Sequence, residues 1–275
     1  MPAPTVITLT TDFGLADPYV AAMKGVILSI NPRATIVDVS HEVRPQRIEQ
    51  GAFLLASAWP YFPPGTVHVA VVDPGVGSER RALALKTGDG VFIGPDNGIL
   101  SAALPGAARE QAEPGGSPLA LPPGPRAVVL SSDRFHRRPL SATFHGRDIF
   151  APVAAHLSLG APFQELGDPT DTIVALPPFR ASRRPDGALT GRIIHIDRFG
   201  NLVTDVRGDQ LPSGRFSVQV GARIVSGPVA TYGEGAGLIA LVGSAGYLEI
   251  ALRDGNACAE LGADIGQPVS VRPPP

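Results

Sequence analysis

The chain has 275 residues, and its 23 basic and 25 acidic residues give it a formal net charge of −2. Domains commonly contain about 100–200 residues, so this length predicts two of them. Hydrophobic residues make up 44% of the chain and charged residues 17%, which is typical of a folded protein and excludes a disordered one. Because the charges balance and no basic run is present, we expect no nucleic-acid partner.

Signals of other protein classes are also missing from the sequence. Cys258 is the single cysteine, which excludes an intramolecular disulfide and a zinc cluster built on cysteines. The stretch MPAPTVITLTTDFG has no secretory-signal pattern, and no apolar stretch is long enough to span a bilayer. We therefore expect a cytoplasmic protein with no membrane partner.

The first part of the chain alternates between strand and helix patterns. Val6–Thr11 predicts a buried strand, and Asp17 and Pro18 are typical of a helix start, with apolar residues at helical spacing up to Ile30. This alternation predicts an α/β domain with a mainly parallel sheet flanked by helices. The other predicted elements of this part are strands at 35–39, 67–72, 82–86, 91–93 and 127–131 and helices at 47–59, from about 97, and at 146–159.

Composition changes mark a loop and a domain boundary. Residues 105–126 are rich in proline and glycine and lack periodicity, which predicts a surface loop. The stretch PPFRASRRPDG indicates a linker, and short alternating strands with glycine turns follow it, without a convincing helix. The predicted domains are therefore an α/β unit at 1–176 and a small β-barrel at 188–275, joined by a linker at 177–187.

Several common catalytic motifs are absent. The chain has no GxSxG, Walker A or HExxH sequence, and its six histidines lack metal-ligand spacing, so we expect no metal site. The fragment PGVG at 74–77 is part of a dinucleotide fingerprint, but Arg80 occupies the third glycine position. Nucleotide-cofactor chemistry of that kind is therefore disfavoured.

Two aspartates follow predicted strands of the same sheet, Asp12 after the first and Asp73 after the third. Ligands of open parallel sheets bind beyond the carboxyl ends of the strands, so both carboxylates are candidates to face a crevice. Either residue is alternatively explained as a cap of a turn or helix. A carboxylate at Asp12 suits a ribose diol, because it accepts hydrogen bonds from two neighbouring hydroxyls.

Polar residues also mark three later turns. His145 precedes the predicted helix at 146–159, Asp197 and Asn201 flank the Phe-Gly turn of IDRFGNLVTD, and Ser244 lies in the glycine turn of VGSAGYLEIAL. Taken one at a time, each motif is better explained as a surface or turn feature.

Together, however, five motifs resemble the S-adenosylmethionine hydroxide adenosyltransferase family, whose relatives include fluorinating and chlorinating enzymes. The motifs run in order from about residue 6 to residue 256: TDFGLADPYVAAMKG, VVDPGVGSERR, SATFHGRDIFAPVAAHL, IDRFGNL and GYLEIAL. The resemblance implies hydrolysis of S-adenosylmethionine to adenosine and L-methionine by water or hydroxide attacking the ribose C5′. The resemblance thus implies S-adenosylmethionine as the substrate, and because a sulfonium leaves readily, neither a metal nor a cofactor is expected.

The resemblance also implies roles for individual residues. Asp73, Arg80 and His145 form a triad around the attacking water in this interpretation, with the proton acceptor left open. Asp12 matches the residue that binds the ribose hydroxyls. The remaining matches hold the ends of the substrate: Asp17, Asp197 and Ser244 the amino-acid end, and Asn201 and Tyr232 the adenine. Tyr232 is equally well explained as a core aromatic.

The family pattern implies a homotrimer, with each site between the N-terminal domain of one subunit and the C-terminal barrel of the next. A 5′-halogenase of the same fold is one alternative, but halogenases have uncharged residues in place of Asp73 and His145. The fluorinating branch also carries an extra loop, for which residues 87–98 leave no room. A sensor that binds S-adenosylmethionine or adenosine without turnover is a second alternative, and the triad argues against it.

Overall fold

The computed structural model of the protein describes residues 6–273. The chain divides into two compact units, Met1–Pro178 and Phe179–Pro275, and the outer ends of the predicted domains, residues 1–5 and 274–275, lie outside the described residues. Within residues 6–273, no helix is both long enough and apolar enough to cross a membrane.

A seven-stranded sheet forms the centre of the first unit. The strands of this unit are β1 (Val6–Thr11), β2 (Thr35–Ser40), β3 (Thr66–Val71), β4 (Ala82–Lys86), β5 (Gly90–Pro95), β6 (Ser117–Ala120), β7 (Arg126–Val129), β8 (Asp168–Thr170) and β9 (Thr172–Ala175). The sheet order is β2-β1-β3-β5-β4-β7-β8. Only β4 and β8 run against the other five strands, so the predicted mainly parallel sheet is confirmed.

Three α-helices accompany the sheet: α1 (Tyr19–Ile30), α2 (Ile48–Ala58) and α3 (Ala151–Ser158). Helix α1 starts after Pro18 without a side-chain cap, so the predicted capping role of Asp17 is wrong. The predicted helix at 146–159 is divided, because Gly146–Phe150 forms a π-helical turn before α3 begins. The helix expected from about residue 97 is a short 3₁₀ helix, Ile99–Ala103.

Helices cover both faces of the sheet. The side chains of Val67, Val69 and Val71 alternate along β3 and join a core that also contains Met23 and Ile27 of α1. On the opposite face, Gly51 of α2 lies against Val72 and Ile99. Since both faces are buried, the carboxyl edge of β1 and β3 is where polar side chains emerge.

The expectation of a loop at 105–126 is wrong in part. Ser117–Ala120 forms β6, which pairs with β9 in a separate two-stranded sheet, and Gly106–Arg109 forms a 3₁₀ turn. The partner of β6 lies more than 50 residues further along the chain, so no local sequence pattern predicts the pairing.

The second unit is an antiparallel, nearly closed barrel, as predicted. Its sheet order is β14-β13-β17-β11-β12-β16-β15, with β10 paired to β11, and Val229 N donates to Ala240 O to link the segment after β14 to β15. One short helix, α4 (Ala257–Leu261), corrects the expectation of none. The strands are β10 (Ser182–Arg183), β11 (Leu189–Ile196), β12 (Leu202–Arg207), β13 (Phe216–Val220), β14 (Arg223–Gly227), β15 (Leu238–Val242), β16 (Tyr247–Leu252) and β17 (Pro268–Arg272).

Candidate active site

Asp73, Arg80 and His145 are in direct contact at the carboxyl edge of the first unit's sheet. Arg80 Nε donates to both Asp73 oxygens at 2.9 and 3.0 Å, and Arg80 Nη2 also binds Asp73 Oδ2. The same Nη2 contacts His145 Nδ1 at 2.9 Å. The ion pair is largely buried, with 11% of the Arg80 side chain and 5% of the Asp73 side chain exposed. Arg80 therefore bridges the carboxylate and the imidazole.

The turn after β3 brings these residues together. Val76 N donates to Asp73 O and Ser78 N to Gly75 O, so residues 73–78 fold back on themselves and return Arg80 to Asp73. Gly77 has a φ of +78°, and a Cβ at this position would lie 2.5 Å from Ala142 O. The turn therefore packs against the backbone of the segment that carries His145, and a side chain at residue 77 would separate them.

The contact with Arg80 identifies the tautomer of His145. A guanidinium has only hydrogen-bond donors, so His145 Nδ1 accepts and the neutral ring carries its proton on Nε2. Burial lowers the pKa of His145 below its ordinary value, and the Arg80 charge lowers it further. His145 is therefore an uncharged residue with an Nε2–H available as a donor.

Asp12 lies at the same edge, since Thr11 of β1 is in register with Val71 of β3. Its Oδ2 accepts a hydrogen bond from Gln46 N at 2.8 Å. Burial raises the pKa of Asp12, and the nearby negative charge of Asp73 adds to this effect. The two aspartates that follow β1 and β3 are therefore electrostatic neighbours, as their sequence positions suggested.

A cleft of about 340 Å³ opens beside the triad, with Asp73 and His145 in its lining. Three aromatic rings in that lining pack against one another, with centroids 5.2–6.0 Å apart: Phe13, Tyr19 and Phe144. Asp17 is exposed and lies outside this lining. Sequence reasoning missed the aromatic wall, although all three rings lie in the quoted motifs.

Arg81 follows Arg80 directly but points elsewhere. Its Nε donates to Asp96 Oδ2 at 2.8 Å, and its Nη atoms donate to Thr170 Oγ1 and Thr172 O at 3.0 Å. Arg81 therefore ties the end of the sheet to residues 170–172, while Arg80 alone of the two joins the triad.

Asp148 anchors the segment that carries His145. Its carboxylate is fully buried and accepts hydrogen bonds from Ser141 N and from the guanidinium groups of Arg137 and Arg147. These partners hold the pKa of Asp148 below its ordinary value despite the opposing effect of burial. Sequence reasoning missed Asp148. The available signal was a charged side chain within the apolar pattern at 146–159.

The second unit has its own cleft of about 920 Å³. Four predicted residues line it together: Asp197, Asn201, Tyr232 and Ser244. Phe199 and Glu249 also line it and were missed. A phenylalanine at an exposed turn and a glutamate inside the strand pattern YLEIAL were the signals that pointed to them.

Asp197 shapes the turn that forms one side of this cleft. Its Oδ1 accepts hydrogen bonds from Phe199 N and Asn201 N at 2.9 and 2.8 Å, and its Oδ2 accepts from Asn201 Nδ2 at 2.9 Å. The amide oxygen of Asn201 therefore faces away from Asp197. The tip of the turn leaves 75% of Phe199 exposed. The turn and the site interpretations of this motif are thus compatible.

On another side of the cleft, the Tyr232 hydroxyl donates to Glu249 Oε2 at 2.6 Å. Burial raises the pKa of Glu249, and it also raises the pKa of the Tyr232 hydroxyl, on which Glu249 acts in the same direction. Since 48% of Tyr232 is exposed, the alternative of a core aromatic is wrong.

No group of three or more His, Cys, Asp or Glu residues that could hold a metal ion occurs within residues 6–273. Both clefts instead present carboxylates and aromatic rings, and the second cleft adds the amide of Asn201. Such groups suit a small organic ligand with hydroxyl, amino and planar parts.

Family models account for both units. The model of the SAM hydroxide adenosyltransferase N-terminal domain matches residues 7–167, and that of the C-terminal domain matches residues 191–270. The chain belongs to the SAM hydroxide adenosyltransferase family. The expectation drawn from the five motifs is therefore confirmed, and the two matched ranges correspond to the α/β unit and the barrel.

Individual relatives agree with the family assignment. A protein of Salinispora tropica named (R)-S-adenosyl-L-methionine hydrolase is 41% identical, covering 98% of both chains, and one of the same name from Thermus thermophilus is 42% identical, covering 94% of this chain and 96% of the relative. A fluorinase of Actinopolyspora mzabensis is 29% identical over 90% of each. A solved structure of an uncharacterized conserved protein from Thermotoga maritima has a TM-score of 0.84 at 33% identity, covering 98% and 100% of the two chains.

Proposed function

We propose that this chain is an enzyme that hydrolyses S-adenosyl-L-methionine to adenosine and L-methionine. The observation that carries the proposal is the contact of Asp73, Arg80 and His145 beside an aromatic-walled cleft. The relatives named hydrolases resemble this chain more closely than the fluorinase does. By the names of those relatives, the substrate is the (R) epimer at the sulfonium.

The reaction proceeds by in-line displacement at the ribose C5′. A water oxygen forms the new bond to C5′ while the C5′–S bond breaks. The electron pair of the C5′–S bond stays on sulfur, which becomes the neutral thioether of methionine. One water proton becomes the 5′ hydroxyl proton of adenosine and the other leaves. The main contribution of the enzyme is to hold a weak nucleophile in line with the leaving group.

The hydrogen-bond directions support Asp73 as the group that receives the departing proton. His145 Nδ1 is occupied by Arg80, so its Nε2–H donates to the water oxygen and orients it. Arg80 offers only donors and stabilises negative charge that develops on that oxygen. Each Asp73 oxygen retains acceptor capacity beyond its bonds to Arg80.

The other candidate residues bind the substrate in this proposal. The Asp12 carboxylate accepts from the two ribose hydroxyls. Asp17, Asp197 and Ser244 hold the amino-acid end, where anionic partners match the ammonium group, and Asn201 and Tyr232 contact the adenine. No metal or cofactor takes part, and the leaving sulfonium makes neither necessary.

The assembly proposed is a homotrimer whose sites combine the first unit of one subunit with the second unit of the next. Support comes from the residues themselves, because Asp73 and His145 of the triad line a cleft of one unit and the proposed adenine contacts line a cleft of the other. The enzyme is proposed to act in the cytoplasm, with S-adenosylmethionine as ligand and neither nucleic acid nor membrane as partner.

The test is incubation with the separated S-adenosylmethionine epimers in oxygen-18 water, with and without chloride or fluoride, followed by mass spectrometry of the nucleoside. Heavy oxygen at the adenosine 5′ position, formed from the (R) epimer, is the expected result. A 5′-halo nucleoside would assign halogenation instead. Retained, unchanged substrate would assign a binding role.

The assembly is tested by mixing two variants, Arg80→Ala and Asp197→Ala, after brief dissociation and assaying at a substrate concentration far below the raised KM of Asp197→Ala, where each variant alone has little activity. If sites form between subunits, the mixed trimers contain intact sites and regain part of the activity. Light scattering measures the subunit number in parallel. A monomer with full activity would contradict this proposal.

A further inference from the structure

Glu249 is a buried carboxylate in the second cleft with no assigned role in the reaction. It lies near the middle of β16, opposite Val203 of β12 on one side and Leu241 of β15 on the other. Only 7% of the residue is exposed. A charged group in the interior of a sheet costs free energy unless it has partners, so its presence here calls for a function.

The partner of Glu249 is on a segment of the cleft that lies outside the strands. Residues 228–237 form neither helix nor strand and contain Gly233, Gly235 and Gly237. Within this segment, Tyr232 reaches across 17 positions to place its hydroxyl 2.6 Å from Glu249 Oε2. The phenol ring itself remains half exposed at the cleft. The hydrogen bond therefore fixes the far end of a ring whose carrier is not part of the sheet.

The opposite neighbour of Glu249 is adapted to it. A Cβ on Gly243 would lie 1.8 Å from Glu249 Oε1 and 2.1 Å from its Cδ, so only glycine leaves room for the carboxylate. Gly243 directly precedes Ser244, another residue of the cleft. Glu249 thus packs against the turn of Ser244 and binds Tyr232, which joins two parts of the cleft lining to one rigid strand.

We propose that Glu249 is a positioning residue that holds the ring of Tyr232 in place as a wall for the adenine of the substrate. The proposal rests on the function proposed above. In this proposal, Glu249 contributes to substrate binding through its hydrogen bond with the Tyr232 hydroxyl. Direct attraction between the Glu249 charge and a cationic substrate is the competing explanation.

Three variants separate these explanations. Glu249→Gln keeps the shape of the side chain and an oxygen that accepts from the hydroxyl, but it removes the charge. Glu249→Ala removes both, and Tyr232→Phe keeps the ring and removes the hydroxyl. Glu260→Ala serves as a matched control, because this exposed carboxylate of the same unit pairs with Arg223 on the surface.

In steady-state kinetics, Glu249→Ala and Tyr232→Phe are each expected to raise KM about tenfold with kcat changed less than about twofold. The KM of the double variant is expected to be no higher than that of Glu249→Ala alone, because both substitutions break the same hydrogen bond. Glu249→Gln should stay within about threefold of the unchanged protein. If Glu249→Gln raises KM as much as Glu249→Ala does, or if the effects of Glu249→Ala and Tyr232→Phe on KM are additive in the double variant, the positioning role is wrong.

A ligand-free measurement keeps this inference separate from the proposed reaction. Hydrogen–deuterium exchange of residues 228–237 should accelerate about tenfold in Glu249→Ala and Tyr232→Phe but not in Glu249→Gln or Glu260→Ala. Thermal unfolding and exchange elsewhere in the barrel report whether Glu249→Ala remains folded. Unchanged exchange of residues 228–237 in Tyr232→Phe, whose fold does not depend on a new cavity, would overturn the proposal.

Calorimetric titration with adenosine distinguishes the two possible failures. If the unchanged protein neither binds adenosine nor hydrolyses S-adenosylmethionine, the proposed function fails, and the exchange experiment still decides whether Glu249 holds Tyr232. If adenosine binds equally to the unchanged protein and to Glu249→Ala, the Tyr232 wall does not contribute to binding and the inference fails alone.

Discussion

The cleft of the first unit and that of the second unit hold their polar groups in different ways. In the first, Asp73 and Arg80 form a buried ion pair, and Arg80 also fixes the imidazole of His145. In the second, Asp197 organises a turn and Glu249 holds a half-exposed tyrosine on a segment outside the sheet. The first arrangement suits a chemical step that requires fixed distances, whereas the second suits recognition of a ligand. Substitutions should therefore lower kcat in the first cleft and raise KM in the second.

The largest effect is expected for Arg80→Ala, with kcat lowered about 10³-fold. Loss of the guanidinium leaves the buried Asp73 without its ion-pair partner, and the tautomer of His145 is no longer fixed by a donor at Nδ1. Single-turnover kinetics measures the chemical step, and Arg81→Lys is the matched control because Arg81 binds Asp96 and residues 170–172 instead. Equal losses in the two variants would indicate a structural role for Arg80 and remove the contrast between the clefts.

Asp148→Asn is expected to lower the free energy of unfolding by about 2–4 kcal/mol and to reduce kcat about a hundredfold. The neutral amide leaves Arg137 and Arg147 without their shared buried partner and loosens the segment that carries His145. Urea unfolding and kinetics at a temperature where the variant is folded measure the two effects. Full activity in the folded variant would show that His145 does not depend on this anchor.

Asp197→Asn is expected to raise KM about 10–100-fold while kcat changes little, because it removes a negative charge from the second cleft. The amide oxygen of the new side chain still accepts from Phe199 N and Asn201 N, so the turn is retained, whereas the hydrogen bond from Asn201 Nδ2 is lost. Kinetics over a range of substrate concentrations separates kcat from KM. A loss confined to kcat would contradict the division of roles between the clefts.

The rate should also depend on pH through His145. Its pKa is lowered by burial and by Arg80, so the ring stays neutral down to a pH below its ordinary value of about 6.5. Below that lowered pKa, protonation of Nδ1 opposes Arg80, and kcat/KM should fall about tenfold per pH unit. Because His145 of the unfolded chain takes up its proton near the ordinary value, the protein loses stability as pH falls from about 6.5 to the lowered pKa, and this loss does not grow further below that pKa. An NMR titration that places the His145 pKa above its ordinary value would contradict this.

The smallest effect is expected for Ser244→Ala, with KM raised about threefold to tenfold and an unchanged kcat. A hydroxyl contributes a single neutral hydrogen bond to the ligand in this proposal. Replacement of Ser244 by threonine, which keeps the hydroxyl, is the matched control. Equal values of KM in the unchanged protein and Ser244→Ala would remove Ser244 from the set of substrate contacts.

Local patterns in the sequence were enough for the elements that bury a regular set of apolar residues. Strand β1 and helix α1 were predicted to within about two residues, because alternation and helical spacing are local properties. Strand β6 was missed because it depends on a distant partner, and the π-helical start of α3 was missed because it depends on tertiary packing. For the same reason, Asp148 and Glu249 could not be assigned partners before the fold was known.

The sequence by itself determined the two-unit organisation, the family and the residue types available for chemistry, since these depend on composition, periodicity and motif order. Only the tertiary structure decided which groups touch. It placed Arg80 rather than Arg81 between Asp73 and His145. The contact with Arg80 in turn determines the tautomer of the imidazole. The tertiary structure also brought Glu249 to Tyr232 on one side of the second cleft. Hydrogen bonds act over about 3 Å, so residues far apart in sequence acquire a shared function only when folding brings them within that distance.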